Sequence, residues 1–231
     1  MNILALDTSM GACGAALLIT DKTSRRMVLL EERMMRGHAE ALMPMVANVM
    51  KNAGLDFSAL DLIAATLGPG SFTGVRIAIA AARGFALVTD ARLWGTDSLT
   101  VMARAALTAG AVEGGHPLAV AVDARGESLY LGLYNGDGRG LAGPLLVSAD
   151  EAGSLLPDDL ATAVGSGAVH LAQAAMRRGR RVDATLPDLQ PSAAALAELA
   201  LEANETLPTL RPLYLRPPDA KPQAAPAVAR R

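Results

Sequence analysis

Apolar residues run without a break from Ile3 to Leu6 and stop at Asp7. Thr8, Ser9 and Gly11 follow as turn residues, and a second apolar run extends from Cys13 to Ile19. Runs this short, bounded by turn chemistry, predict buried strands rather than helices. Asp21 and Lys22 make another turn, and Met27 to Leu30 predict a third strand, so the chain opens as a three-strand meander. From Arg36 to Asn52 the period changes. Leu42, Val46, Val49 and Ala53 recur at helical spacing, Met43, Ala47 and Met50 form a second stripe beside them, and Gly54 stands where a helix ends. Leu62 to Leu67 predict a strand. The segment Gly68 to Gly74 (GPGSFTG) leads into a helix from Val75 to Val88, then a short strand at Leu93 to Gly95 and a helix from Ser98 to Ala109, with Ser98 near its N-cap.

Gly110, Gly114, Gly115 and Pro117 divide the chain into expected lobes of residues 1–109 and 117–216. The second lobe echoes the first. Leu118 to Val122 is an apolar run ending at Asp123; a turn and a strand at Leu129 to Tyr134 follow, as after Asp7. Gly136 to Gly138 predict a hairpin turn. Ala161 to Val164 lead through Gly165-Ser166-Gly167 into a helix to about Arg178, as Ala65 to Gly70 lead into the helix at Val75. Ser192 to Ala203 predict a last helix and Tyr214-Leu215 a terminal strand; Pro217 to Arg231 read as a mobile Pro/Ala-rich tail. A repeated unit with a strand-ending Asp and a Gly-x-Gly strand-to-helix turn predicts a duplicated α/β fold with two lobes, the plan of the actin/hexokinase (ASKHA) class. Such a plan does not assign an activity.

Composition narrows the chemistry. Of 231 residues, 51% are hydrophobic and 19% charged, which excludes a largely disordered chain. A formal net charge of -2 argues against a generic polyanion binder. One cysteine, Cys13, excludes an intrachain disulfide or a multi-cysteine zinc site, and the three histidines contain no His-x-x-x-His pair. The apolar stretch from Val75 to Val88 is interrupted by Arg76 and Arg83, short of the ~20 apolar residues of a membrane span. An intracellular, cytoplasmic protein without a membrane segment is the expectation.

Three features can carry function. The turn after Asp7, with Thr8 and Ser9, matches a phosphate loop in which the Asp holds Mg²⁺ through water; a strand-end Asp is also an ordinary turn former. The turn after Asp123 fits phosphate poorly, because Ala124, Arg125 and Glu127 replace small polar residues. The GPGSFTG segment either receives an anion at the next helix or makes a tight corner beneath a helix rich in Ala and Gly. Met34, Met35, Met43, Met45 and Met50 crowd the first helix and its approach, more apolar surface than a one-sided helix needs. The basic run Arg177, Arg178, Arg180 and Arg181 reads as a solvated helix end.

The motifs ILALDTS (Ile3 to Ser9), His38 with Leu42 and Pro44, GPGSFTGVRI (Gly68 to Ile77), Asp123 to Arg125 with Glu127 and Tyr130, and PLYLR (Pro212 to Arg216) occur in this order along nearly the whole chain. Together they resemble the bacterial TsaB (YeaZ) family of tRNA threonylcarbamoyladenosine biosynthesis proteins. The resemblance implies an ASKHA-type fold and a non-catalytic partner of a TsaD-type paralogue. That paralogue places threonylcarbamoyl on the adenosine next to the anticodon of tRNAs reading codons beginning with A. It further implies a heterodimer with the TsaD-type chain, joined by a TsaE-type ATPase, a homodimer when the chain is alone, and only indirect contact with tRNA. No cofactor, metal or catalytic residue is expected: TsaD-like relatives carry a His-x-x-x-His pair after the Gly-Pro-Gly helix, and Thr96 to Ala103 hold no histidine here. The expected partner surface comprises His38, Leu42, Met45, Val49, Arg76, Ala80, Ala81 and Arg83. Two enzyme readings stand as alternatives, an ATP-dependent small-molecule kinase using Asp7 and a protease acting on the paralogue; no nucleophile–base pair supports the second.

Overall fold

A computed structural model describes residues 1–112, 115–124 and 126–216. The expected tail after Arg216, and the part of the expected lobe boundary at 113–114, lie outside them. The opening meander comprises β1 (Asn2–Asp7), β2 (Ala12–Thr20) and β3 (Arg25–Arg33), followed by α1 (His38–Ala53), β4 (Leu62–Thr66), α2 (Phe72–Thr89), β5 (Arg92–Thr96) and α3 (Ser98–Thr108). The second half contains β6 (Leu118–Asp123), β7 (Ser128–Tyr134), β8 (Gly140–Ser148), α4 (Ala149–Leu155), β9 (Thr162–Val164), α5 (Ala168–Arg177), β10 (Asp183–Thr185) and α6 (Ala193–Glu202).

The duplication is visible in strand order. One sheet runs β3-β2-β1-β4-β5; the other, read from its opposite edge, runs β8-β7-β6-β9-β10. In each, the first three strands in sequence pair antiparallel and the last two join in parallel. Each half also places a helix after its third, fourth and fifth strands. The fold is thus a two-lobed α/β fold of the actin/hexokinase type, built from a repeated β-β-β-α-β-α-β-α unit.

Both faces of the first sheet are covered, which is why β1 is apolar at every central position. Side chains alternate across a strand. Leu4 and Leu6 therefore pack with Val46 and Val49 of α1 and Val75 and Ile79 of α2, while Ile3 and Ala5 pack with Leu196 and Ala200 of α6. The second sheet receives α4 and α5 on one face and, on the other, Leu99, Met102, Ala103 and Ala106 of α3. Helix α3 therefore lies between the sheets, with Val101 toward the first and Leu99, Met102, Ala103 and Ala106 toward the second, and α6 from the second half covers the first. Arg104 of α3 grips the Glu202 carboxylate through two hydrogen bonds (2.7 and 2.5 Å), and Glu31 of β3 accepts the Ala193 N–H at the start of α6 (2.5 Å). Helix α6, within the expected second lobe of residues 117–216, thus packs on the first sheet.

Two local expectations are corrected. Tyr214 and Leu215 do not form a strand. The returning chain instead bridges β5 at Leu207 and gives one bond from Leu213 N–H to Leu67 C=O (2.6 Å); Pro208 and Pro212 lack the N–H groups a ladder requires. Ser98 lies next to the N-cap of α3, as expected; the N-cap itself is Asp97, which accepts from Thr100 N–H (2.9 Å), and Ser98 is turned inward. Finally, α2 is by length and composition apolar enough to cross a membrane. It nevertheless buries Gly74, Val75, Ala78, Ile79 and Ala82 against the fold and carries Arg76 and Arg83.

Candidate functional site

The turn after β1 is closed by its neighbours. Asp7, Thr8 and Ser9 are fully buried. Asp7 Oδ1 accepts hydrogen bonds from Thr66 Oγ1, from Ser9 Oγ (2.7 Å) and from Ser9 N–H (3.3 Å). Ser98 Oγ donates to Ser9 Oγ (3.0 Å). Thr8 Oγ1 donates to the Gly74 carbonyl (2.6 Å) and accepts from Ala78 N–H (3.1 Å), and Ser71 N–H donates to the Ser9 carbonyl (2.7 Å). The hydroxyls and amides that would cradle a phosphate are thus occupied within the protein. The GPGSFTG segment makes the tight corner. A methyl group on Gly70 would run into the Ser9 carbonyl oxygen, and one on Gly74 into that of Thr8. Ser71 caps α2 by accepting from Gly74 N–H (3.3 Å).

Burial raises the Asp7 carboxyl from its ordinary 3.8 to about 6, against the lowering effect of the bonds from Thr66 and Ser9; Glu31 adds a small upward push. Its Oδ2 is buried without a hydrogen-bond partner among the described residues. Cys13 is likewise pushed up, to about 11, chiefly by burial; its thiol contacts the His38 carbonyl (3.9 Å) and is poorly suited to act as a nucleophile. Among the described residues no three His, Cys, Asp or Glu side chains gather as a metal site. The basic run is engaged locally: Arg177 and Arg178 with Asp150 (2.7 and 3.8 Å), Arg181 with Asp183 (3.3 Å), and Arg180 with the Leu156 and Pro157 carbonyls.

The second feature is the outer surface of α1 and α2. Of the expected partner residues, Ala80, Arg76 and Arg83 are exposed, whereas His38, Met45 and Ala81 are half-buried. Leu42 and Val49 face the sheet and lie in the core, so their side chains cannot meet a partner. The second stripe of α1 supplies the accessible positions, with Met43 and Ala47 outward and only Met50 inward. Exposed apolar side chains also stand just before α1, at Met35 (86% exposed), and toward the two ends of α2, at Phe72 and at Leu87 (84%) and Val88 (80%). His38 Nε2 lies 3.0 Å from the Met10 carbonyl, tying the start of α1 to the β1–β2 turn.

An aromatic cluster at the start of α2 was not legible in the sequence. Phe72 and Tyr214 stack with ring centroids 5.4 Å apart. The Arg76 guanidinium lies 3.6 Å from the Phe72 ring centre, and its Nε donates to Tyr214 Oη (2.6 Å). Arg83 reaches the Leu210 carbonyl on the same returning segment. The returning segment at Leu210 and Tyr214 thus straps α2, a long-range pairing that periodicity cannot show.

A family model described as TsaD, tRNA N6-adenosine threonylcarbamoyltransferase, matches residues 31–209. YeaZ from Pseudomonas aeruginosa superposes with a TM-score of 0.78 at 32% identity, covering 93% of this chain and 99% of that one. The chain belongs to the TsaD family, in its TsaB (YeaZ) branch. The TsaB protein of Haemophilus influenzae is 35% identical over 130 residues, 56% of this chain and 52% of that protein. TsaB of Escherichia coli is 33% identical over 141 residues, 61% of this chain and 58% of that protein. The chain thus spans little more than half the length of these curated TsaB relatives it matches. An uncharacterized protein of Mycobacterium tuberculosis is 31% identical and matches 96% of this chain and 95% of its own length.

Two stability predictions follow for this TsaB-family chain. Ala at position 74 is favoured over Gly by about 1 kcal/mol of helix propensity. The collision with the Thr8 carbonyl should outweigh that, so Gly74→Ala is expected to lose about 1–3 kcal/mol in urea unfolding. Because the folded Asp7 carboxyl titrates above its unfolded value, the folded state holds a proton that the unfolded chain releases. That contribution favours folding below about pH 4 and is lost as pH rises through about 6. Asp7→Asn, measured against the parent chain, should therefore gain relative stability between about pH 4 and pH 8, by up to about 3 kcal/mol.

Proposed function

We propose that this chain is a non-catalytic partner of a TsaD-type threonylcarbamoyltransferase in making threonylcarbamoyladenosine, next to the anticodon of tRNAs that read codons beginning with A. One contrast carries the reading: the turn that would serve phosphate chemistry is sealed by Thr8, Ser9 and Gly74, while the adjoining α1–α2 surface is apolar and uncovered. A chain with the layout of an ATP-using fold but no open phosphate cradle suits a role in assembly. The TsaB names of the relatives point to the same modification.

On this reading the TsaD-type chain docks on Met35, Met43, Phe72, Ala80, Leu87 and Val88, and a TsaE-type ATPase joins the pair. The same surface pairs two copies of this chain in C2 symmetry when the partner is absent, because an apolar face of this kind is otherwise left in water. Transfer RNA is reached through the partner, in the cytoplasm. The kinase alternative requires Thr8 and Ser9 to break their bonds to α2 before a phosphate can enter, and nothing in the geometry favours it.

The test is reconstitution with the TsaD-type paralogue of the same organism. Met43→Glu and Ala80→Glu place charge at exposed positions without entering the core, unlike changes at Met45 or Ala81. Each is expected to weaken association by about tenfold or more, roughly 1.4 kcal/mol, and to reduce modified tRNA in proportion, with an unchanged melting temperature. Full association and full modification with both variants would overturn the proposed surface.

A further inference from the structure

The first sheet ends at β3, which has β2 on one side and, among the described residues, no strand on the other. Six of its nine residues are exposed. The direction of its backbone groups follows from its pairing with β2, which runs without a bulge from Arg33 opposite Ala12 to Arg25 opposite Thr20. Just beyond the two ends, Met34 N–H donates to the Gly11 carbonyl (3.1 Å) and Asp21 N–H to the Ser24 carbonyl (3.1 Å). Bonded and non-bonded pairs alternate along an antiparallel ladder. The even-numbered residues of β3 therefore bond β2, and Arg25, Met27, Leu29, Glu31 and Arg33 turn their N–H and C=O groups to the open edge. Such a row is a template for a further strand.

The side chains decide which strand fits. Basic residues open β3, acidic residues stand near its end, and Met27 to Leu30 between them are apolar. Read antiparallel to itself with Leu29 on a twofold axis, the strand sets Arg26 opposite Glu32 of the second copy, twice by symmetry, and Val28 opposite Leu30. These four positions share one face of the sheet, because side chains alternate along a strand. Arg26 donates to the Asn52 carbonyl (2.8 Å) and has no acidic partner among the described residues, and Glu32 is exposed with no hydrogen bond or ion pair among them. On the other face Leu29 meets Leu29. Arg25 stands opposite Arg33, but its charge is already matched by Glu198 (3.0 Å). The next registers that a twofold allows set Arg26 against Leu30 or Met34 and lose both ion pairs. The end charges thus disfavour an unmatched strand and favour one that carries the same order reversed.

We propose that the open edge of β3 binds a second copy of this chain, β3 against β3 in antiparallel register about Leu29, so that the first sheet continues across the twofold into its counterpart. The contact is isologous: each copy gives the same edge and receives the same edge. Its specificity comes from the two Arg26–Glu32 pairs and its bonds from the backbone of Arg25, Met27, Leu29, Glu31 and Arg33. The proposal is independent of the partner surface on α1 and α2, which pack on a face of this sheet and not on its edge.

The test uses the full chain carrying Met43→Glu, so that pairing through α1 and α2 is removed and is not mistaken for pairing through β3. Sedimentation of this chain is expected to show a concentration-dependent dimer. Glu32→Arg, and separately Arg26→Glu, should weaken that dimer by about tenfold or more, and the two together should restore it, with an unchanged melting temperature. Amide exchange read residue by residue supplies a measurement that needs no further variant. Raising the protein concentration should slow the N–H groups of Met27, Leu29 and Glu31, while those of Val28 and Leu30, already bonded to β2, stay slow throughout. A chain that remains monomeric up to about 1 mM would overturn the proposal. So would charge variants that dimerise like their parent, a double variant that fails to recover, or edge amides whose exchange ignores concentration.

Discussion

Everything in the first lobe depends on how closely the backbone of α2 approaches the turn after β1. Two glycines permit it. At Gly70 and Gly74 a single added carbon would collide with main-chain carbonyls that have no room to move. With the carbon absent, Ser71 N–H reaches the Ser9 carbonyl and Thr8 Oγ1 bonds the Gly74 carbonyl and the Ala78 N–H of α2. These contacts satisfy buried polar groups that would otherwise cost stability, and they leave nothing in the turn facing outward. A cradle for phosphate and a closed structural joint use the same residue types; the difference lies in which atoms the hydroxyls meet.

The duplication makes this closure instructive. Both halves share strand order and helix placement; α3 packs between the two sheets, and α6 of the second half packs on the first. In the first half a threonine locks turn to helix and the helices carry the exposed apolar surface. In the second an alanine stands at the matching position, and Ser166 Oγ, just before α5, accepts the Asp123 N–H instead (2.9 Å). The repeated framework has thus been specialised by a few side chains at equivalent places, as expected when function resides in sites and not in the fold itself.

Much of the fold was legible in the residue pattern. Continuous apolar runs ending at Asp7 and Asp123 mark β1 and β6 because both faces of each sheet are covered. The glycine-rich corners announce α2 and α5. What escaped is short or lies at an edge: β8 contains Gly140, Gly143 and Pro144, β10 has three residues, and α4 contains two acids and a glycine in seven. The site was read less well. Spacing shows that α1 has two apolar stripes but not which one faces the sheet, and the structure places Leu42 and Val49, expected on the partner surface, in the core. The sequence marks Thr8 and Ser9 as turn residues after a strand-ending Asp, yet their partners Gly74, Ala78 and Ser98 are distant in sequence, and only the tertiary structure shows that the turn is shut.

The most direct test of this closure is calorimetric titration of the isolated full chain with Mg-ATP. A sealed turn predicts no saturable binding at millimolar nucleotide. Saturable binding that disappears in a Thr8→Val variant would show that phosphate does reach the turn, and would contradict the account at its centre.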